Sequence, residues 1–300
     1  MMSTTENIQG SYRIAGRVKD YFQLIKFTLS FTVVFSCVIC YLLAPGIAFD
    51  LKMVILLFVA GMLVTGSANA INQAVEKDTD AMMKRTGKRP VADGRMSQQE
   101  AYAFALVAGV GGVLMMWHLF NLESALLSAF SLFLYAYIYT PLKKINSIAV
   151  LVGAFPGALP CLIGWVAGTG EFTAGGWILF GIQFLWQFPH FWAIAWVSHT
   201  DYSRAGFKLL PADKGPTKFT ALQAVMYSVL MIPVGILPYA FRISGQVSLV
   251  VVLVANLFMV FQSLRLYREM DVKAARRVMF SSYIYLPIVL LALLVDKLNV

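Results

Sequence analysis

The chain alternates long apolar runs with short polar ones. The runs at 26–44, 52–71, 101–119, 123–140, 147–167, 174–197, 219–240, 246–264 and 278–295 are apolar around the whole helical circumference. Each is long enough to cross a hydrocarbon core about 30 Å thick as an α-helix. The period-2 alternation that a membrane β-barrel requires is missing from all of them. A spanning backbone must satisfy its own hydrogen bonds, so the pattern predicts an all-α polytopic bundle of about nine transmembrane helices. A mean hydropathy of +0.72, with 13% of residues charged, excludes an ordinary soluble domain.

Charge adds an orientation. If alternate loops face the cytoplasm, starting with the N-terminus, those loops hold 21 of the 24 Lys and Arg residues. The other side keeps Lys52, Arg242 and Lys297. That asymmetry predicts N-terminus in and C-terminus out, in a bacterial cytoplasmic (inner) membrane. The net charge of +9 is then a topology signal, and its division among short loops argues against a nucleic-acid partner. Residues 1–22 are polar and read as a cytoplasmic segment, not as a signal or transit peptide.

The polar runs differ in length. The outer loops are short, whereas 72–100 and 198–218 are long and mix acidic, basic and Gly/Pro residues. They lie four spans apart, which points to two four-helix halves plus a last helix within a single domain, 1–300. In the fifth span Gly153, Gly157, Gly164 and Gly168 allow close helix approach, and Pro156 and Pro160 are expected to bend it. Cys37, Cys40 and Cys161 read as small-residue packing; Cys37 and Cys40 have redox-motif spacing inside an apolar span with no histidine near in sequence.

The stretch NQAVEKDTDAMMKRTGKRP (72–90) carries the candidate chemistry. Asn72, Glu76 and Asp80 are spaced i, i+4, i+8, so on one helix they share a face that drifts by about 40° per step. An amide oxygen and two carboxylates suit Mg²⁺, a hard ion that often shares its shell with substrate phosphates. A solvated helix end laced with charge pairs is the other reading of the same spacing. Arg85 and Arg89 follow, and guanidinium groups hold phosphate oxygens through paired bonds. In the second loop Asp201 is the lone carboxylate, flanked by His199, Tyr202, Arg204 and Lys208. Bringing the second and sixth spans together would set Asp201 opposite Asn72 and Asp80 as a metal-diphosphate clamp.

These residues resemble the first aspartate-rich motif of the UbiA superfamily of intramembrane prenyltransferases. The form D-A-x-M-x-R-T-x-x-R-P within it is similar to the protohaem IX farnesyltransferase (haem O synthase) family. YTPLKKINSIAVLVGAFPGALPCLIGWVAGTG (139–170) and QFPHFWAIAWVSHTDYSRAGFKLLP (187–211) extend the resemblance across roughly residues 20 to 295. It implies transfer of farnesyl from farnesyl diphosphate to the 2-vinyl group of haem B, with water addition giving haem O for haem-copper oxidases. Haem B is a substrate in that reaction and Mg²⁺ the cofactor; a downstream haem A synthase is an expected partner, with membrane lipid around the bundle. Position by position, Asn72, Glu76, Asp80 and Asp201 take the metal and catalytic places. Arg85, Arg89 and Lys143 take the diphosphate places, joined by Arg204 and Lys208. The chain departs from the family at Glu76, where Asp is common, at His199 and Thr200, where Lys and a second Asp are usual, and at Phe27, where many members have Pro.

A haem substrate raises the question of an axial ligand, for which histidine is the usual donor. Of His118, His190 and His199, the choice falls on His190, about three turns above Asp201 and positioned to face a cavity. A histidine hydrogen-bonded between helices is the competing reading. His199, beside the acidic site, is a second candidate for a haem propionate or diphosphate, and His118 is expected at the membrane interface. Trp186, Trp192 and Trp196 could line the cavity or simply pack. An aromatic polyprenyltransferase of quinone or chlorophyll-type lipid synthesis stays open as an alternative, as does an anion transporter, which would also gather charge at helix ends.

Overall fold

The computed structural model describes residues 16–211 and 215–298, and the first two-thirds of the polar N-terminal segment lies outside them. A short helix α1 (Gly16–Leu24) meets α2 (Phe27–Leu43) at a 51° bend. Then follow α3 (Leu51–Val75), α4 (Lys77–Ala81), α5 (Gln98–Leu119) and α6 (Leu122–Phe133). A π-helical segment (Leu134–Tyr139) and one turn, α7 (Thr140–Leu142), complete the fourth span. The rest are α8 (Ala149–Thr169), α9 (Ala174–Val197), the short α10 (His199–Arg204), α11 (Lys218–Ala240), α12 (Gln246–Glu269) and α13 (Val272–Val295). Among the described residues eight spans are long and apolar enough to cross a membrane by themselves, and the bent α1–α2 pair, taken as one span, makes a ninth. The protein is a multi-pass membrane bundle.

Sequence chemistry sets the ends of these helices. The side chains of Asp50, Ser97, Asn121, Thr217 and Asp271 accept from backbone N–H groups in the first turns of α3, α5, α6, α11 and α13. Each satisfies a donor that the helix itself leaves unpaired. Large apolar side chains such as Leu106, Val107, Leu126, Val247 and Val254 face outward, as they must where lipid is the solvent.

The helices form a closed ring. α2 packs on α3 and α8, α3 on α5, α5 on α6, and α6 on α8. From α8 the contacts pass to α9, which touches both α11 and α13, and α13 returns to α2. The two halves therefore share α2 and α8 at their seam. A Cβ on Gly157 would collide with Gln187 Oε1, and one on Gly164 with the carbonyl oxygen of Cys37, so glycine is what lets α9 and α2 come so near α8. α8 runs unbroken through its prolines. Pro160 has no N–H to offer Pro156 O, and Ser131 Oγ donates to that oxygen at 3.3 Å instead.

Inside the ring lies a cavity of about 690 Å³. Its wall includes Asn69 of α3, Tyr135 and Tyr139 of the π segment, Trp186 and His190 of α9, and Tyr283 of α13. A second, smaller cavity of about 210 Å³ sits under the second charged loop, lined by His199, Tyr202 and Lys208 among others.

Candidate active site at the charged end of the cavity

The first charged run does not continue α3 as one helix. Glu76 sits at φ −93°, ψ 12°, closing α3 and opening α4, so the expected unbroken face is interrupted there. The i→i−4 bonds nevertheless survive the junction: Glu76 N donates to Asn72 O at 3.0 Å and Asp80 N to Glu76 O at 2.7 Å. The spacing is thereby kept, and Asn72, Glu76 and Asp80 turn inward to 1%, 4% and 1% exposure. Asp78 is exposed. A solvated helix end is the reading that this burial removes.

Each of the three inward side chains meets a cation. Arg89 Nη1 lies 2.6 Å from Asp80 Oδ2, and Lys143 Nζ 2.5 Å from Glu76 Oε1. Lys26 Nζ donates to Asn72 Oδ1 at 2.6 Å. Lys143, 7% exposed, also stands 4.9 Å above the Tyr139 ring and 5.4 Å above that of Phe207. Buried carboxylates are costly without such partners. The pairing is still incomplete. Among the described residues Asp80 Oδ1 has no hydrogen-bond partner, and Glu76 Oε1 meets Lys143 by charge alone, off the hydrogen-bonding direction.

Two of the partners escaped the sequence reading. Lys26 occupies the bend between α1 and α2, in the left-handed region at φ 48°. Its place just ahead of an apolar span reads as a topology charge, and nothing near it in sequence signals that the bend aims it inward. Two amides on α3 hold that bend. Gln73 Nε2 donates to the carbonyls of Gln23 (2.8 Å) and Leu24 (3.0 Å), and Asn69 Nδ2 to Ile25 O (3.2 Å) and Ser30 Oγ (3.0 Å). They replace helical bonds that α1 loses where it breaks. Thr140 is the other missed residue. Its Oγ1 donates to Tyr135 O at 2.8 Å and accepts from Asn72 Nδ2 at 3.3 Å, which fixes the Asn72 amide with its oxygen toward Lys26.

The second loop lies at the same end but does not complete the cluster. Arg85 Nη2 donates to Tyr202 OH at 3.3 Å, and Lys208 N donates to Lys143 O at 2.8 Å, tying the two loops together. Among the described residues no three His, Cys, Asp or Glu side chains stand close enough to hold one ion. Asp201 is therefore not gathered with Glu76 and Asp80 here, contrary to the clamp expected from sequence. It sits half-buried on α10, a separate six-residue turn. Arg204 and Lys208 are exposed. His199 lines the small cavity and His190 the large one, so the structure separates the two haem candidates. His118 is exposed and stacks on Trp117, as an interfacial residue would.

His190 lines the large cavity, and its Nδ1 is 2.8 Å from Ser282 Oγ of α13, a bond between helices. Its ring stacks on Trp186 with centroids 4.6 Å apart and planes 21° apart. Trp192 and Trp196 are packed into the core, Trp192 against Phe188 and Tyr227.

Asp80 and its neighbours form a donor set fit for a hard cation. All candidate donors are oxygens, and one of them, Asp80 Oδ1, is a buried acceptor with nothing to accept from. The cations around them suit a polyanion such as a diphosphate. Next to this charged end lies an apolar, aromatic-lined space within the size range of small-molecule sites.

The UbiA prenyltransferase family profile matches residues 33–285. The protoheme IX farnesyltransferase of Cytophaga hutchinsonii is 44% identical over 285 residues, covering 95% of this chain and all of that one. The protoheme IX farnesyltransferase of Flavobacterium johnsoniae is 41% identical, over 93% of this chain and 94% of its own. Among solved structures, digeranylgeranylglyceryl phosphate synthase superposes with a TM-score of 0.78 at 22% identity, covering 94% of this chain and 98% of its own. A UbiA homologue from Archaeoglobus fulgidus, solved bound to GPP and Mg²⁺, gives 0.67 at 13% identity, covering 91% and 99%. At those identities the structural likeness speaks for the fold.

Proposed function

The chain belongs to the UbiA prenyltransferase family, and on that premise we propose that it transfers a farnesyl group from farnesyl diphosphate to the 2-vinyl group of haem B, yielding haem O. The observation that carries this reading is the junction of two environments. A paired, buried charge cluster with an unpartnered Asp80 Oδ1 adjoins an apolar cavity of about 690 Å³. Relatives 35–44% identical over most of the chain are protoheme IX farnesyltransferases.

Asn72, Glu76 and Asp80 would hold Mg²⁺ through oxygen, with Asp201 brought in from the second loop. Bound there, the ion supplies Lewis-acid stabilisation of the departing diphosphate. Arg89, Lys143 and Lys26 already stand within the cluster, and Arg85, Arg204 and Lys208 would join them from the two charged loops. In this reading they neutralise the negative charge that builds as the C1–O bond breaks. In this reading the cations beside Asn72, Glu76 and Asp80 turn to diphosphate oxygens when the substrate binds.

The vinyl carbon then attacks farnesyl C1, forming the carbon–carbon bond. Water adds to the resulting cation beside the porphyrin ring and loses a proton, which leaves the hydroxyethylfarnesyl side chain. Tyr135 and Tyr139 line the space next to the charged end, where aromatic faces stabilise positive charge. The closed ring of helices keeps bulk water from the allylic cation until the carbon–carbon bond exists. His190 is the candidate axial ligand to the haem iron. The 1–300 chain acts as one domain in the bacterial inner membrane, with its N-terminus cytoplasmic, and a haem A synthase or haem-copper oxidase consumes the product.

The test is direct. Membranes containing the protein are incubated with haem B, farnesyl diphosphate and Mg²⁺, and the pigments are read by mass. Farnesylated, hydrated haem is the expected product; its absence from folded protein refutes the assignment.

A further inference from the structure

Ser282 lies on α13, fully buried, and makes two contacts that constrain each other. Its Oγ donates to Met279 O at 2.6 Å, and the same Oγ is 2.8 Å from His190 Nδ1. A hydroxyl has one proton to give. With that proton committed to the Met279 carbonyl, Oγ can meet His190 only as an acceptor, so Nδ1 must carry the imidazole hydrogen. The opposite tautomer would set Nδ1 and the Met279 carbonyl in competition for a single proton. Nε2 is then the unprotonated nitrogen, with its lone pair free, on a side chain that lines the large cavity.

The surroundings restrict the ring further. Trp186 stacks on one face of His190, and the Trp186 indole Nε1 donates to Ser282 O at 2.9 Å. The Tyr283 ring meets the imidazole edge-on at 5.3 Å between centroids. One turn of α13 thus grips the ring through Ser282 Oγ, Ser282 O and Tyr283. This is the arrangement by which a neighbouring group sets the tautomer and direction of a metal-binding histidine.

We propose that Ser282 is a positioning residue: it holds His190 as the Nδ1–H tautomer, so that Nε2 is presented to the cavity as an axial ligand for the iron of the porphyrin substrate. The inference rests on the haem reading above and adds to it the residue that prepares the ligand. No bond in the transferred group is involved; His190 donates an electron pair to iron and keeps its proton on Nδ1.

The full-length protein in nanodiscs is titrated with haem B alone, and the ferrous complex is read by resonance Raman for an iron–histidine stretching band. The band is expected in the wild type and in Ser282→Thr, which keeps the hydroxyl, and absent from His190→Ala. Ser282→Ala is expected to shift or broaden it and to weaken haem affinity by about 10–100-fold. Its KM for haem should rise while its KM for farnesyl diphosphate stays at the wild-type value. Ser282→Cys, of similar volume but a poor acceptor, should fall between wild type and Ser282→Ala, and decides the matter if the alanine variant does not fold. A wild-type band and affinity in both variants overturns the role of Ser282 while leaving His190 as the ligand. A band that persists in His190→Ala, or is missing from the wild type, overturns the ligation itself. Failure of the underlying function is separate and visible in the product assay, as wild-type protein that makes no farnesylated haem.

Discussion

The Asp80–Arg89 pair gives a sharp energetic test, because Arg89 is the carboxylate's single hydrogen-bond partner among the described residues. Asp80 is 1% exposed and the Arg89 side chain 19%, so solvent screens the pair weakly. Removing the guanidinium in Arg89→Leu strands a buried charge, a change that costs about 3–5 kcal/mol where no water reaches. The exposure of Arg89 argues for the lower end, about 3 kcal/mol. Asp80→Asn, which keeps shape and abolishes charge, should cost about 1–2 kcal/mol. The double variant loses about as much as the arginine variant alone, so a double-mutant cycle should give a coupling of about 1–2 kcal/mol. Unfolding in mixed detergent micelles, followed by helical circular dichroism, measures all four corners. Additive effects, with coupling below about 0.5 kcal/mol, would show that the ion pair does not form in solution. Both single variants should also lose turnover, which separates the pair from a purely structural bond.

Other expectations follow from neighbouring features. Gly164→Ala drives a methyl into the Cys37 carbonyl and should cost about 1–3 kcal/mol, read as a lower thermal midpoint; an unchanged midpoint would mean α2 and α8 are not this close. Glu76→Asp installs the residue common in the family but withdraws the carboxylate from Lys143, and turnover should fall by up to about 100-fold; a gain instead would show that the longer arm is a handicap here. Chelation should abolish turnover and Mg²⁺ restore it, with Ca²⁺ a poor substitute because it prefers longer bonds and more ligands; turnover in chelator contradicts the metal reading. At the opposite end, Lys297 Nζ reaches the carbonyls of Leu42, Ala44 and Ile47, and burial holds its pKa below the ordinary lysine value. The unfolded chain therefore binds the proton more tightly than the folded one. Stability relative to Lys297→Met should rise as pH climbs toward about 10.5, and a pH-independent difference would contradict that.

The spans were legible because lipid imposes a single rule on all of them. The sixth was placed at 174–197 and is found at Ala174–Val197. The last was begun at 278 and starts at Val272, since the Asp271 side chain caps a turn rich in Lys and Arg that an apolar count passes over. Asn72, Glu76 and Asp80 were legible from spacing as a cluster, and Arg89 from its place just beyond them. The bend at Lys26 was not, because its cause lies on α3, in Asn69 and Gln73, tens of residues away. For the same reason Lys143 enters from the sequence only by resemblance, as a diphosphate holder; its pairing with distant Glu76 comes from the fold. Asp201 marks the opposite limit, a residue whose sequence context is plain and whose position in the fold is not.

The π-helical segment at Leu134–Tyr139 has an evolutionary consequence. A π turn holds about one residue more than an α turn, while the helix on either side keeps its phase. Losing one lipid-facing residue there, such as the 62%-exposed Tyr137, would tighten the turn and still leave Lys143 directed at Glu76. The same loss within Leu122–Phe133 would swing every later residue by about 100° and send that lysine elsewhere. In this helix, length can vary at one place without changing where its functional end points.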